Sequence, residues 1–310
     1  MSKIDVVGIG FCTLDILIRL DELPTWQQRV QFEQISFDGG GQTGTGLCAA
    51  AKLGAKTGFI GTAGTDWFAE TKLQSLVDCG IDISHVVRRP GPDNQVVCVL
   101  VNRRTGDRIF NSIETIRTNL VEPGELDRTY ITQAQYLLTE GYHYEATLAA
   151  AEWMHSAGKR VMYDGVSTSA ESLPEKQINL VKASDILICG EGFAEALTGE
   201  KDRHQAGQAA LSFGPELVVI TEGEKGSFLF SREESFHTPA FDVEVVDTTG
   251  AGDAFHGAFL VGLLKGWDYR KICTFAAAVS AIECTYLGGR SGLPTFPQVA
   301  AFLQQRGFAF

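Results

Sequence analysis

The chain opens with an apolar run that ends in glycines, Ile4-Asp5-Val6-Val7-Gly8-Ile9-Gly10, the pattern of a buried strand. Asp15-Ile16-Leu17-Ile18-Arg19-Leu20 alternates poorly and stops before Leu23-Pro24, so it reads as a strand leaving the core. A glycine-rich turn over 38–46 then leads into Leu47-Cys48-Ala49-Ala50-Ala51-Lys52-Leu53, closed by Gly54, which predicts a helix packed through small residues. A strand at 57–61 and a helix at 68–79 follow. Val96–Val101 and Arg108-Ile109-Phe110 flank a polar turn and predict a hairpin.

Beyond the hairpin, strands at 134–139, 160–164, 186–189 and 217–220 alternate with helices at 144–156, 175–182, 193–197 and 205–213. Such alternation predicts parallel βαβ units with helices on both faces of a buried sheet. Ligand sites in such sheets lie beyond the carboxyl ends of the strands. A further helix follows Gly250, where Phe255, Phe259, Leu260, Leu263 and Leu264 fall at helical spacing, and 276–282 is a small-residue helix.

Composition narrows the class. At 310 residues, with 44% hydrophobic and 21% charged residues, the chain suits a large globular core. The formal charge of −12, with no block of Lys or Arg, argues against nucleic acid as a partner. No apolar run approaches the ~20 residues that span a bilayer, and no signal-peptide pattern precedes the first strand, so a cytoplasmic location is expected. Seven scattered cysteines without a Cys-x-x-Cys predict reduced thiols, and the six histidines show no metal-binding spacing.

The chemistry concentrates in Val246-Asp247-Thr248-Thr249-Gly250-Ala251-Gly252-Asp253-Ala254-Phe255-His256-Gly257-Ala258-Phe259. Hydroxyl residues and a Gly-Ala-Gly turn precede the apolar helix, so its first turn carries few side chains and its orphan amides stay open to an anion. Asp253 lies in that turn, placed to take a proton from a hydroxyl while the amides hold developing charge. Gly8-Ile9-Gly10 and Gly44-Thr45-Gly46-Leu47-Cys48-Ala49, the second of which matches Gly-x-Gly-x-x-Ala, both raise a dinucleotide fingerprint without completing it. The first lacks its third glycine, and the second follows an alternating segment at 32–37 instead of a core strand. No Gly-x-x-x-x-Gly-Lys-Ser/Thr is present, so the chain is not a P-loop protein.

The run from Asp247 to Phe255 resembles the C-terminal signature of the ribokinase-like (PfkB-type) carbohydrate kinases, and weaker similarities extend over the whole chain. The resemblance implies one α/β kinase domain over 1–310: three α/β/α layers, a mainly parallel central sheet, and a small β-sheet lid from about 12–37 and 95–112. It implies ATP and Mg²⁺, with a monovalent cation such as K⁺ as a further expectation, and a sugar acceptor. Catalysis falls to Asp253 with Gly250, Ala251 and Gly252. Asp15, Gly40, Gly41, Thr45 (where the family usually has Asn), Asn111 and Glu140 become sugar-binding candidates. Thr221, Gly223, Gly226, Thr248 and Ser280 become nucleotide-binding candidates.

At the metal motif the chain departs from the family. Its Asn-x-x-Glu positions hold Gly190 and Phe193, leaving Glu191 or Glu195 to hold water around Mg²⁺. Asp247, Thr249 and Gly289 are the implied monovalent-cation residues. The lid implies a homodimer surface. Phe255-His256-Gly257-Ala258 with Gly288-Gly289-Arg290-Ser291-Gly292 looks most like the ketose and sulfo-sugar kinase branch, so a ketohexose-type acceptor is expected. An anionic sugar would need a fixed cation from Arg29, Arg108, Arg117 or Arg290. A nucleoside kinase of the same family and a non-catalytic sugar or nucleotide sensor are the alternatives.

Overall fold

The computed structural model describes residues 3–309; Met1, Ser2 and Phe310, at the limits of the expected 1–310 domain, lie outside the described residues. The chain forms β1 (Val6–Ile9), β2 (Thr13–Leu20), β3 (Gln34–Gly40) and α1 (Gln42–Lys52). It continues through β4 (Thr57–Ile60), β5 (Thr62–Ala63), α2 (Trp67–Asp78), β6 (Val87–Arg88), and the hairpin of β7 (Val96–Asn102) and β8 (Arg108–Ser112). The middle carries α3 (Arg128–Thr132), β9 (Tyr136–Thr139), α4 (Tyr144–Ser156), β10 (Arg160–Gly165), α5 (Glu175–Lys182) and β11 (Ile186–Gly190). Next are α6 (Phe193–Thr198), α7 (Arg203–Ala210), β12 (Leu217–Thr221), β13 (Ser227–Ser231) and β14 (Ser235–Thr238). Three helices end the chain: α8 (Ala251–Leu264), α9 (Tyr269–Glu283) and α10 (Phe296–Gln305).

The main sheet has the order β14-β13-β12-β11-β10-β9-β1-β4 and is parallel except at β12-β13-β14. Its strands are apolar on both faces because each face meets helices. Ile186, Ile188, Leu217 and Val219 point into the layer of α1, α2, α8, α9 and α10. Their neighbours Leu187, Cys189, Val218 and Ile220 point into α5, α6 and α7 on the other side. Val7, Ile9, Leu137 and Val161 extend that second layer under α3 and α4. This alternation is the pleat period of two expressed as three layers.

A second sheet of order β3-β2-β7-β8 stands apart as the lid, and the two-residue strands β5 and β6 pair separately. Register places Asp15, Leu17, Asp38, Val97, Val99, Arg108 and Phe110 on one lid face. Leu17, Val97, Val99 and Val101 pack there against Ile116, Phe11 and Leu287, so this face looks toward the main sheet.

The expected turn over 38–46 ends earlier than the glycines suggest. Helix α1 begins at Gln42, so Gly44, Thr45 and Gly46 are helical. Two of these glycines serve contact instead of turning. A Cβ on Gly46 would sit 3.3 Å from the Asp253 carbonyl oxygen, and one on Gly257 would sit 2.7 Å from Ala49 Cβ. Bare backbone at the α1–α8 crossing brings the two helices together and seats the first turn of α8 against α1. Helix α10 also went unread, although its capping box of Thr295 and Gln298 and its early Pro297 were legible signals.

Candidate active site

The carboxyl ends of β1, β9 and β10, the start of α1, the inner lid face and the first turn of α8 converge on one another. At α8 the left-handed Gly250 (φ 82°) caps the helix, with the Gly289 carbonyl oxygen 2.7 Å from where a Cβ would stand. Any side chain there would be both strained and blocked. The Ala254 amide bonds the Gly250 carbonyl at 2.8 Å, whereas among the described residues nothing accepts from the amides of Gly250, Gly252 or Asp253. These are the orphan donors of a helix start, reinforced by the helix dipole.

Asp253 stands beside them, and no described donor bonds its carboxylate. Burial, aided by the Asp164 charge, raises it from 3.8 to about 7; His256, Arg290 and Arg108 oppose the shift. Asp164 ends β10 and is itself raised by burial, with His256 Nε2 3.5 Å from its Oδ1. A carboxylate held near neutrality beside free amides suits proton abstraction next to a transferring anion.

Opposite lies a polar cluster around residues 10–15. Glu140, just after β9, accepts from the Phe11 amide at 2.6 Å and from Thr43 Oγ1. Burial pushes Glu140 up to about 8, with the Asp164 charge adding to it. Thr13 Oγ1 donates to Asp15 Oδ1 at 2.5 Å, and burial pushes Asp15 up to about 6. Gly40 packs against the Asp15 carboxylate. Gly41 (φ 83°) passes so close to the chain that a Cβ would lie 2.6 Å from the Phe11 carbonyl oxygen. Gly40 thus meets Asp15; Gly41 and Glu140 both meet the Phe11 backbone; and Thr43, which spacing alone did not single out, bonds Glu140.

Two expected sugar contacts are differently employed. Thr45 is buried in α1, where its Oγ1 accepts from Arg290 Nε at 3.3 Å. Asn111 pairs with Cys98 and so lies on the outer lid face, its amide spent on the carbonyls of Cys98 (3.2 Å) and Ile109 (3.4 Å). The inner face presents Phe110 and Arg108 instead. Arg108 Nη1 donates to Thr248 Oγ1, tying the lid to the signature stretch. Arg290 is not a free cation: it is 4% exposed and also donates to Ser75 Oγ (2.7 Å), Cys12 Sγ (3.4 Å) and the Gly40 carbonyl. It fixes the start of α1 to the 284–292 loop. Among the four arginines considered for an anionic sugar, Arg108 is the one that meets the signature stretch.

The nucleotide candidates fall into two groups, one at the end of β12 and one at the start of α8. Thr221 ends β12 with its hydroxyl 3.3 Å from the Cys189 carbonyl, and Gly223 and Gly226 (φ 51° and 86°) bracket a short 3₁₀ turn before β13. Ser280 donates to the Ala251 carbonyl at 2.7 Å, so it braces the first turn of α8. Glu191 is exposed and paired with Lys225 at 3.0 Å, whereas Glu195 keeps a buried Oε2 without a partner. Among the described residues no three His, Cys, Asp or Glu side chains cluster to hold a metal.

Asp247 is fully buried and accepts from the Thr249 amide (2.9 Å), Thr249 Oγ1 (2.8 Å) and the Gly288 amide (3.0 Å). Near it Glu283, the last residue of α9, is wholly buried with both carboxyl oxygens unpartnered. Burial and the Asp247 charge raise it well above the usual range. Sequence reading passed over Glu283 because helix-end glutamates are ordinarily solvated.

The chain is 26% identical over 308 residues to a deoxyribokinase from Salmonella typhi, covering 96% of this chain and 98% of that one. It is 30% identical over 275 residues to a ribokinase from Haemophilus influenzae, covering 86% and 87%. Its fold superposes with a TM-score of 0.81 on the structure of Arabidopsis thaliana ribokinase complexed with ribose and ATP, at 24% identity and full coverage of both chains. The family described as pfkB family carbohydrate kinase matches residues 3–296, and on that span the chain belongs to this family of kinases.

Proposed function

We propose that the protein transfers the terminal phosphoryl group of ATP to a hydroxyl of a sugar, with a ketohexose-type acceptor favoured. The observation that carries this reading is Asp253, a carboxylate poised near neutrality that, among the described residues, has no donor on it and shares a helical turn with three unused amides. The acceptor hydroxyl gives its proton to Asp253 as its oxygen bonds to the terminal phosphorus. The bridging oxygen–phosphorus bond breaks and ADP leaves. The amides of Gly250, Gly252 and Asp253 would hold the equatorial oxygens, and Arg108 would close over them from the lid. Asp15, Glu140 and Thr43 offer hydroxyl-binding groups opposite.

Mg²⁺ would neutralise charge on the ATP phosphates. The unpartnered Oε2 of Glu195 favours that residue over Glu191 for holding its water, and reliance on substrate phosphates fits the sparse ligand set. The unpaired oxygens of Glu283 beside Asp247 favour a monovalent cation near Asp247, Thr249 and Gly289. The outer lid face supports a homodimer: Ile35, Phe37 and Ile109 are exposed there at 56%, 54% and 46%.

A nucleoside acceptor is the second reading. It is favoured by the stacked rings of Phe11 and Tyr142, 4.6 Å apart beside Glu140. ADP release over a panel of ketohexoses, aldopentoses and nucleosides, with and without K⁺, separates the two. No release above background with any acceptor overturns both.

A further inference from the structure

His256 lies one turn beyond Asp253 on α8 and is 4% exposed. Its ring sits among acceptors. Nδ1 is 2.6 Å from the Gly252 carbonyl oxygen, and Nε2 faces the Ile188 carbonyl at 3.3 Å and Asp164 Oδ1 at 3.5 Å. A carbonyl oxygen only accepts, so the contact at Nδ1 requires a hydrogen on that nitrogen.

The Gly252 carbonyl belongs to the same planar unit as the Asp253 amide, since C=O and N–H of one trans peptide point in opposite directions. Gripping that oxygen from the helix side therefore aims the Asp253 N–H out of the helix start. This amide is one of those without a protein acceptor. Its neighbour Gly252 has open space where a side chain would be, so no Cβ packing restrains the peptide. Gly252 and Asp253 lie in the first turn of α8, and the His256 ring adds a side-chain donor to the helical hold on that peptide, from a position anchored at its far side by Ile188 and Asp164.

We propose that His256 is a positioning residue: through Nδ1–H it pins the Gly252–Asp253 peptide and so orients the Asp253 amide toward charge that develops on the transferred phosphoryl group. The proposal rests on the phosphoryl-transfer reading above. Two substitutions separate the two ends of the ring. In His256→Asn the side-chain amide reaches the place of Nδ1 and keeps the grip on Gly252. In His256→Gln it reaches the place of Nε2, keeping the Ile188 and Asp164 side while releasing Gly252.

His256→Gln is expected to lose kcat about ten- to a hundredfold, approaching the loss of one oxyanion donor. KM for ATP should change little, because the interaction tightens in the transition state. His256→Asn should keep kcat within a few-fold of the parent. A Gln variant with full kcat, or an Asn variant as slow as the Gln variant, overturns the pin. Should either variant fail to fold, ¹⁵N NMR of the His256 ring in the unsubstituted protein decides the same point. A hydrogen-bonded Nδ1–H is expected, and a bare Nδ1 overturns the proposal. Failure of the phosphoryl-transfer reading looks different, as absent ADP release by the unsubstituted protein.

Discussion

The acid limb of the rate profile is the most direct consequence of the environment of Asp253. Burial first, and then the Asp164 charge, lift its carboxyl from 3.8 to about 7. A general base works only when ionised, so kcat/KM should fall roughly tenfold for each unit below about pH 7. The Asp164 charge contributes to that shift, so the position of the limb depends on Asp164 as well. Asp164→Asn removes the like charge and should move the limb to lower pH.

Stability carries the opposite sign. The folded-state value lies above the unfolded one, so the folded state binds the proton more tightly. Stability falls as pH rises from 3.8 to about 7, and the loss is complete above that. Its upper bound is about 4 kcal/mol, reduced by relaxation and water entry at the cleft. Asp253→Asn should thus melt at or above the parent's temperature at about pH 8 while losing about 10²- to 10⁴-fold in kcat. Initial rates at saturating Mg·ATP across pH, with melting curves of parent and variant, measure both effects. A profile flat to about pH 5.5, or an Asp253→Asn enzyme with full kcat, refutes the assignment.

Gly257→Ala drives a Cβ into α1, 2.7 Å from Ala49 Cβ and 2.9 Å from the Ala50 nitrogen, and should cost about 1–3 kcal/mol by denaturant titration together with part of kcat. Arg108→Gln removes the lid's hold on Thr248 at an exposed site, so kcat/KM should fall about ten- to a hundredfold. Its stability should stay within about 0.5 kcal/mol of the parent's. Lys72→Met strands Asp93, its fully buried partner at 2.6 Å where α2 meets the lid stem, and should cost about 3–5 kcal/mol in the same titration. A melting point unchanged at Lys72→Met would show that Asp93 finds other donors beyond Gly64 and Gln95.

Much was legible in residue order because it depends on local rules. Alternating strand and helix patterns gave the parallel layers, since a strand buried on both faces must be apolar throughout. The Asp247–Phe255 run marked a helix start bare of side chains, because absent side chains and a following apolar stripe are themselves the structure. Asp15, Gly40, Gly41 and Glu140 were suggested by resemblance, and the structure sets Gly40 against Asp15, with Gly41 and Glu140 against the Phe11 backbone. Other features are products of distance in the chain. Thr45 lost its expected freedom to Arg290, 245 positions away, and Arg108 reached Thr248 from 140 positions off.

What the sequence alone determined was a local pattern: a helix start bare of side chains with a carboxylate in its first turn, beside a buried parallel sheet. Tertiary structure decided which side chains are free to act. The lid register turned Asn111 outward and Arg108 inward, and a buried arginine claimed Thr45. Two helices crossing at bare glycines brought α8 to its seat. Burial raised Asp253 to about 7. Desolvation and like-charge proximity depend on what surrounds a group in space, and no local pattern of residues contains that information.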